Sequence, residues 1–480
     1  MKAAKLSVLG AFAMMALGCS MDRYPTQGHA GSVITDAAVP WDGVAHLTLD
    51  ARTHAQTLEG FGAAVAWYAE SFAAYDESSP IWNLAFRDLG LDILRFRNRY
   101  GRVDQGNGSD ITAEATILTR ATASLGHEPR ILLSSWSPPG SLKASGKENC
   151  SGDKSTCTLA KDSSGQFVYD KFGAYFANAL NTYAAAGIHP TYLSIQNEPD
   201  FVPNGWEGCR FDATENPSYP GYDRALAAVH AALATVDNPP KLIGPECYSL
   251  ASGSLDEYLT PQTRTLLYAG AHHLYQSDFW RVPDAYLPTM TQASQSANLP
   301  LMQTEFDTAG DGNVTGAFET AWVMHNALAI EGAAGFLYWD LIWGGSAGCL
   351  IALKGASYTL RNHYYAMRHF ARYTDPGFVR IAAQSSADAV RVTAYLSPNA
   401  TQLTVVMLNT GAIEAQIQWD GINGFSSAWS EVYRSTFVSG DAGTSELWNS
   451  LGNLEANQPL RLPSHSVATV VLHADAPDAD

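Results

Sequence analysis

The chain has 480 residues, with 47 Asp and Glu against 29 Lys and Arg, a formal net charge of −18. That acidity excludes nucleic acid and an anionic membrane surface as principal partners, and it speaks against a polyanionic substrate unless a local basic pocket overrides it. A composition of 46% hydrophobic, 16% charged and 11% aromatic residues is that of a globular chain able to bury a full core, which excludes wholesale disorder.

The first residues read as an address. Lys2 and Lys5 precede an apolar run at 6–17 that is too short to span a bilayer as a helix, so residues 1–19 form a secretion signal. Its ending, Ala16-Leu17-Gly18-Cys19, resembles a bacterial lipoprotein signal, in which Cys19 becomes the lipidated N-terminus; simple cleavage nearby is the alternative. The expected location is therefore outside the cytoplasm: an outer-membrane lipoprotein, or a periplasmic or extracellular protein, whose only membrane contact is that lipid. Residues 20–40 are polar and read as a tether. In an oxidising compartment Cys150 and Cys157, which bracket a short polar loop, are expected to form a disulfide. Cys209 with Cys247 is a weaker pairing, and an odd cysteine is left over. The sequons at Asn107, Asn313 and Asn399 are expected to carry no meaning in a chain whose signal looks bacterial.

From there to about residue 375, short apolar runs alternate with helical patterns. The strand candidates are 60–66, 93–96, 130–135, 192–196, 242–245, 270–274, 301–304 and 335–338, with helical stretches such as 172–186, 224–235 and 318–330 between them. Eight strands with interleaved helices read as an α/β fold, a (β/α)₈ TIM barrel over 59–375. A doubly wound sheet is the runner-up, but no Gly-rich phosphate loop follows the first strand. After a helical stretch at 361–374 the pattern switches to period two, at 379–383, 389–396, 402–408, 414–419, 429–433 and 467–472. This reads as a small antiparallel β-sandwich over 376–475, to which residues 41–58 add an N-terminal strand.

Chemistry concentrates at two strand ends. In Gln196-Asn197-Glu198-Pro199 an apolar strand runs into a carboxylate, and in Thr304-Glu305 another does the same. At roughly 35 residues per βα unit, three units separate the two glutamates, which puts them at the ends of strands four and seven, across the barrel mouth. Two opposed carboxylates are the minimum equipment for glycoside hydrolysis, and a Glu that donates a proton near neutrality needs a pKa raised by burial or a like charge. Glu198 is assigned as acid/base and Glu305 as nucleophile. A lone strand-end Glu is more often structural; the paired spacing with Asn-Glu-Pro favours catalysis.

With Glu59-Gly60-Phe61-Gly62 at the first strand and Trp136-Ser137-Pro138-Pro139 after the third, these motifs make the chain resemble glycoside hydrolase family 30 over about residues 45–475. The resemblance implies a retaining barrel glycosidase with an attached β domain, Glu198 as acid/base and Glu305 as nucleophile. It implies a polysaccharide or oligosaccharide substrate, and neither metal nor organic cofactor.

Several residues are expected to line the groove. Asn197 suits the sugar 2-hydroxyl. Arg95 and Arg97 alternate with apolar residues on strand two, and a guanidinium beside Glu305 would stabilise the carboxylate that a nucleophile requires; Arg97 is favoured. Trp67, Trp136 and Trp339 end strands one, three and eight, as sugar platforms or as core. His273 and Tyr275 follow strand six, as hydrogen-bond partners or as plain structure. Glucuronoxylanases of the family carry a Trp-x-x-x-Arg-x-Tyr pattern after strand eight; aligned on Trp339, this chain has Trp343 and Gly345 instead. The glucuronate clamp is therefore expected to be absent. The best expectation is an exported monomer that cleaves neutral stretches of a β-1,4-xylan. A β-1,6-glucanase, β-glucosidase or β-fucosidase activity is the alternative, and a non-catalytic carbohydrate-binding barrel a more distant one. Endo and exo action stay open, as does the role of the 145–161 loop.

Overall fold

The computed structural model describes residues 42–101, 111–250, 254–276, 279–308, 314–345, 348–437, 446–454 and 459–474. The signal, the tether, Cys19 and the sequons at Asn107 and Asn313 lie outside them.

Eight parallel strands close a barrel: β1 (Gly60–Val65), β2 (Ile93–Arg97), β3 (Arg130–Ser134), β4 (Tyr192–Ser194), β5 (Lys241–Cys247), β6 (Ala269–His273), β7 (Leu301–Glu305) and β8 (Gly335–Gly344). Each pairs with the next, and β8 pairs with β1 through Phe336 and Phe61. All eight runs of the sequence are strands, and their near-continuous apolar character follows from burial on both faces. Small residues set the spacing at the seam. A side chain at Gly62 would meet the Ile93 carbonyl at 2.4 Å, so only glycine lets β1 approach β2. The helices cover the barrel as the 3.6-residue period requires. In Tyr169–Ala185, Phe172, Phe176, Leu180 and Tyr183 form one buried stripe.

Two features were not legible. Strand β8 runs past Tyr338 to Gly344, because a following hairpin, Cys349–Lys354 with Ser357–Leu360, supplies its outer hydrogen bonds. Asn149–Ser151 and Asn204–Glu207 pair as a small antiparallel ribbon over the mouth, next to the Cys150–Cys157 disulfide. Cys209, Cys247 and Cys349 are buried and free, so the Cys209–Cys247 pairing does not form.

The side domain is one continuous, curled nine-stranded sheet. Val44–Thr57 lies inside it, antiparallel to Val379–Ser385 and parallel to Ala415–Asn423. His369, on the last barrel helix (Asn362–Ala371), joins the two parts by hydrogen bonds to Thr469 and Ser435, each 2.8 Å.

Candidate active site

The C-terminal strand ends gather the polar groups. Glu198 follows β4 with a left-handed φ of 49°, a conformation that costs energy for any residue but Gly and here turns the carboxylate toward the barrel axis. Backbone bonds hold that turn: Asn197 donates to the Ser135 carbonyl at 2.7 Å and Glu198 to the Glu246 carbonyl at 3.0 Å. Glu305 ends β7. One carboxylate oxygen of Glu198, one of Glu305 and a ring nitrogen of His273 all lie within 4.8 Å of one another.

His273, buried at the end of β6, links the pair. Its Nδ1 lies 3.0 Å from the Glu198 carboxylate, and its Nε2 3.8 Å from Glu305 and 3.9 Å from Glu246. Burial opposes a charge on the ring, but the Glu305, Glu198 and Glu246 carboxylates outweigh it and raise its pKa to about 9. Glu198 is pushed up to about 7, chiefly by burial and further by the Glu305 charge, against the pull of His273. A Glu–His–Glu group has the residue types of a metal-ligand set. The same three groups, in hydrogen-bond and ion-pair contact, have the residue types of a proton-handling set.

Arg95, not Arg97, is the guanidinium beside Glu305. Fully buried on β2, Arg95 donates to Glu305, to the Asn197 carbonyl oxygen of the side chain at 2.7 Å and to Ser134 at 3.1 Å, and pairs with Glu246 at 3.1 Å. Arg97 points the same way, but two residues along the strand place it higher in the mouth. There it bonds Glu207 at 2.9 Å and lies under the Trp67 ring at 4.6 Å. Asn197 is buried, with its side-chain oxygen committed to Arg95.

The tryptophans form one cluster. Trp67 sits 5.2 Å from Trp136, 5.4 Å from Trp339 and 6.4 Å from Trp343, in tilted or edge contacts. Trp136 is buried, with one face taken by Arg95 at 4.4 Å, so it supports the arginine rather than offering an open platform. Trp67, Trp339 and Trp343 are half-buried and face the mouth from the β8–β1 side. Tyr275 stands beside His273, with ring centroids 6.0 Å apart; burial and the surrounding carboxylates, Glu305 first among them, push its hydroxyl well above the usual range.

Two carboxyl groups went unnoticed. Glu246, after β5, is fully buried, yet Arg95 outweighs burial and holds its pKa down to about 2. Gly-Pro-Glu at 244–246 repeats the strand-end carboxylate pattern of Glu198 and Glu305, and that signal was available. Asp340 lies within β8, where burial and the Glu305 and Asp307 charges raise it well above the carboxylate range. The same site thus pushes two buried carboxyls in opposite directions, Glu246 down and Asp340 up.

No family model matches the chain. Glucuronoxylanase XynC of Bacillus subtilis is 24% identical over 401 residues, covering 80% of this chain and 83% of that one. The endo-1,6-beta-D-glucanase neg1 of Aspergillus fumigatus is 26% identical over 424 residues, covering 76% and 81%. Among solved structures, the glycoside hydrolase family 30 subfamily 8 xylanase Xyn30A of Clostridium acetobutylicum superposes with a TM-score of 0.67 at 21% identity. The match covers 89% of this chain and all of that one, which shows the shared fold. Relatives and fold together support the assignment of this chain to glycoside hydrolase family 30, and with it a glycoside-hydrolysing activity.

Proposed function

We propose that the protein is an exported, retaining β-glycosidase that cleaves neutral stretches of a β-linked polysaccharide, with β-1,4-xylan as the first candidate. The observation that carries the mechanism is the spacing of the carboxylates: oxygens of Glu198 and Glu305 lie within 4.8 Å of each other. Retaining enzymes hold the pair about 5–5.5 Å apart, whereas inverting enzymes leave about 6.5–9.5 Å for a water. In the first step Glu305 attacks the anomeric carbon as the carbon–oxygen bond breaks, and the Glu198 proton passes to the leaving oxygen. In the second, Glu198 takes a proton from water, whose oxygen displaces Glu305 from the sugar. Arg95 contacts Glu305 throughout, and His273 is the positioning residue of Glu198.

The absence of an Arg at position 343 supports the choice of neutral stretches. Trp343 stands there, 6.3 Å from Trp339 and 4.9 Å from Tyr68, in an apolar wall. A second reading, β-1,6-glucan, is favoured by the match to a β-1,6-glucanase. Product analysis on glucuronoxylan, linear xylan and linear β-1,6-glucan tests both, with Glu305→Gln as control and the product anomer read by NMR. Cleavage positions fixed by glucuronate, or an inverted first-formed anomer, would overturn the corresponding part.

A further inference from the structure

A row of aromatic rings leaves the active site on the Glu198 side. Tyr275, in contact with His273, is followed by Tyr248 at 5.6 Å between ring centroids, Phe201 at 5.1 Å and Trp206 at 6.3 Å. The last two pairs are near parallel, at 14° and 29°. Trp206 is 50% exposed and Tyr248 37% exposed, although large aromatic side chains ordinarily bury their faces. These rings come from three separate loops, after β4, β5 and β6, and their chain positions gave no hint of the row.

Trp206 is held in place rather than left on a free loop. It sits on Asn204–Glu207, which pairs with Asn149–Ser151, and Cys150 is tied to Cys157. The buried ammonium of Lys143 donates to the carbonyls of Glu148, at 2.6 Å, and Gly208, at 2.5 Å, on the two sides of this ribbon. Glu207, next to Trp206, is ion-paired with Arg97 in the barrel mouth. The ribbon and its disulfide thus fix an exposed indole at one end of an aromatic row whose other end touches the catalytic groups.

Beside the row lies a cavity of about 510 Å³, lined among others by Asp200, Phe201, Asp212, Tyr248 and Glu257. Its Arg210 is engaged by Asp212 at 2.8 Å and the Asp200 carbonyl at 2.8 Å. Three carboxylates with an occupied arginine repel anionic sugars and leave stacking and hydroxyl hydrogen bonds as the means of recognition.

We infer that the exposed rings of Tyr248 and Trp206, held in place by Phe201 stacked between them, bind the leaving-group portion of the substrate as neutral pyranose units on the reducing-end side of the scissile bond. The inference rests on the assignment of Glu198 as proton donor to the leaving oxygen, because the acid stands on the side of the departing sugar. It gives the 145–161 loop a role: it builds this arm of the groove and does not block it.

The test compares Trp206→Ala and Trp206→Phe with the unaltered protein. In a Glu305→Gln background, calorimetry with xylohexaose and with linear β-1,6-glucohexaose reads binding without turnover. Loss of one stacking face should weaken the hexaose that binds by about tenfold in Trp206→Ala, with most of the affinity restored in Trp206→Phe. In active protein the ratio of kcat/KM on polymer to kcat/KM on an aryl β-glycoside should fall by a similar factor. Equal hexaose affinity in the presence and absence of the indole, or an unchanged ratio, overturns the inference. Full activity of Glu305→Gln would instead overturn the double-displacement mechanism, while the binding comparison still decides the role of the row.

Discussion

His273 on β6 bonds the Glu198 carboxylate through one ring nitrogen and faces Glu305 and Glu246 with the other. A single imidazolium therefore sits within reach of both members of the catalytic pair, and its charge lowers the proton affinity of Glu198. The acid must be protonated for the first step, so activity should decline as pH rises through about 7, the value to which Glu198 is pushed. Replacing His273 with Gln removes a positive charge that favours the carboxylate, so the alkaline limb should move upward by about one unit. A kcat/KM profile against pH reads this directly, and a limb that stays or moves downward refutes the role of His273.

The two glutamates should fail differently. Glu305→Gln should abolish turnover of every substrate. Glu198→Gln should cost about 10²–10⁴-fold on polysaccharide, the range of a lost general acid, but far less on a dinitrophenyl glycoside, whose leaving group needs no proton. Equal losses on both substrates in the Glu198 variant would show that the acid has been misassigned.

Arg95 is the electrostatic keystone. Its removal leaves Glu246 and Glu305 without their buried partner, which costs about 3–5 kcal/mol when one member of a buried pair is deleted. Arg95→Met should therefore lower the urea midpoint as well as activity. Arg95→Lys should recover part of the stability but not the fork that reaches Glu305, Asn197 and Glu246 together. Arg97→Met should leave more activity than Arg95→Met, and the reverse order contradicts the assignment.

Histidine at the junction of barrel and side domain makes stability sensitive to acid. Burial holds the pKa of His369 near 3, against an ordinary value of 6.5. The unfolded chain takes up a proton that the folded chain refuses, so this contribution is intact above about pH 6.5 and falls as pH drops toward 3. Between pH 7 and pH 5 it amounts to about 2 kcal/mol. Glu114 and Glu198, raised to about 7, act in the opposite sense, so the measurement is a difference between variants. His369→Asn should lose about 2 kcal/mol less than the unaltered protein over that pH step; identical slopes by chemical denaturation would falsify the prediction.

The disulfide should act locally. Closing so short a loop is worth roughly 2–3 kcal/mol of loop entropy, and the segment lies outside the barrel. Reduction, or replacement of Cys150 and Cys157 with Ser, should speed tryptic cleavage at Lys147 and Lys154 while the barrel stays folded. Cys209, Cys247 and Cys349 should react with maleimide only after denaturation. Equal cleavage rates with and without the bond refute the local role.

The barrel was legible because its strands are buried on both faces, which writes uninterrupted apolar runs into the sequence. Glu198 and Glu305 were legible because each terminates such a run. The choice between Arg95 and Arg97 was not. Both lie on one strand face, and only depth along the barrel axis, set by register between strands, separates them. Asp340 was hidden by the hairpin that prolongs β8, since a carboxyl within a strand carries no end signal. The row from Tyr275 to Trp206 was hidden for another reason: its members are neighbours only through tertiary contact. The strand order of the side domain was not legible, because period-two alternation records which face is buried, not which strand is adjacent.

The placement of Val44–Thr57 has a consequence for how the molecule comes into being. Its partners, Val379–Ser385 and Ala415–Asn423, lie on the far side of the whole barrel in the chain. Every contact it makes there closes a loop of several hundred residues, the kind of pairing that slows folding most. While the chain is being made, this long strand has both edges unpaired, a template for association with other chains. A fragment ended before residue 379 keeps that liability permanently, so the barrel is unsuited to expression without its companion sheet. Vectorial synthesis makes the first strand wait for both neighbours until the barrel between them is complete.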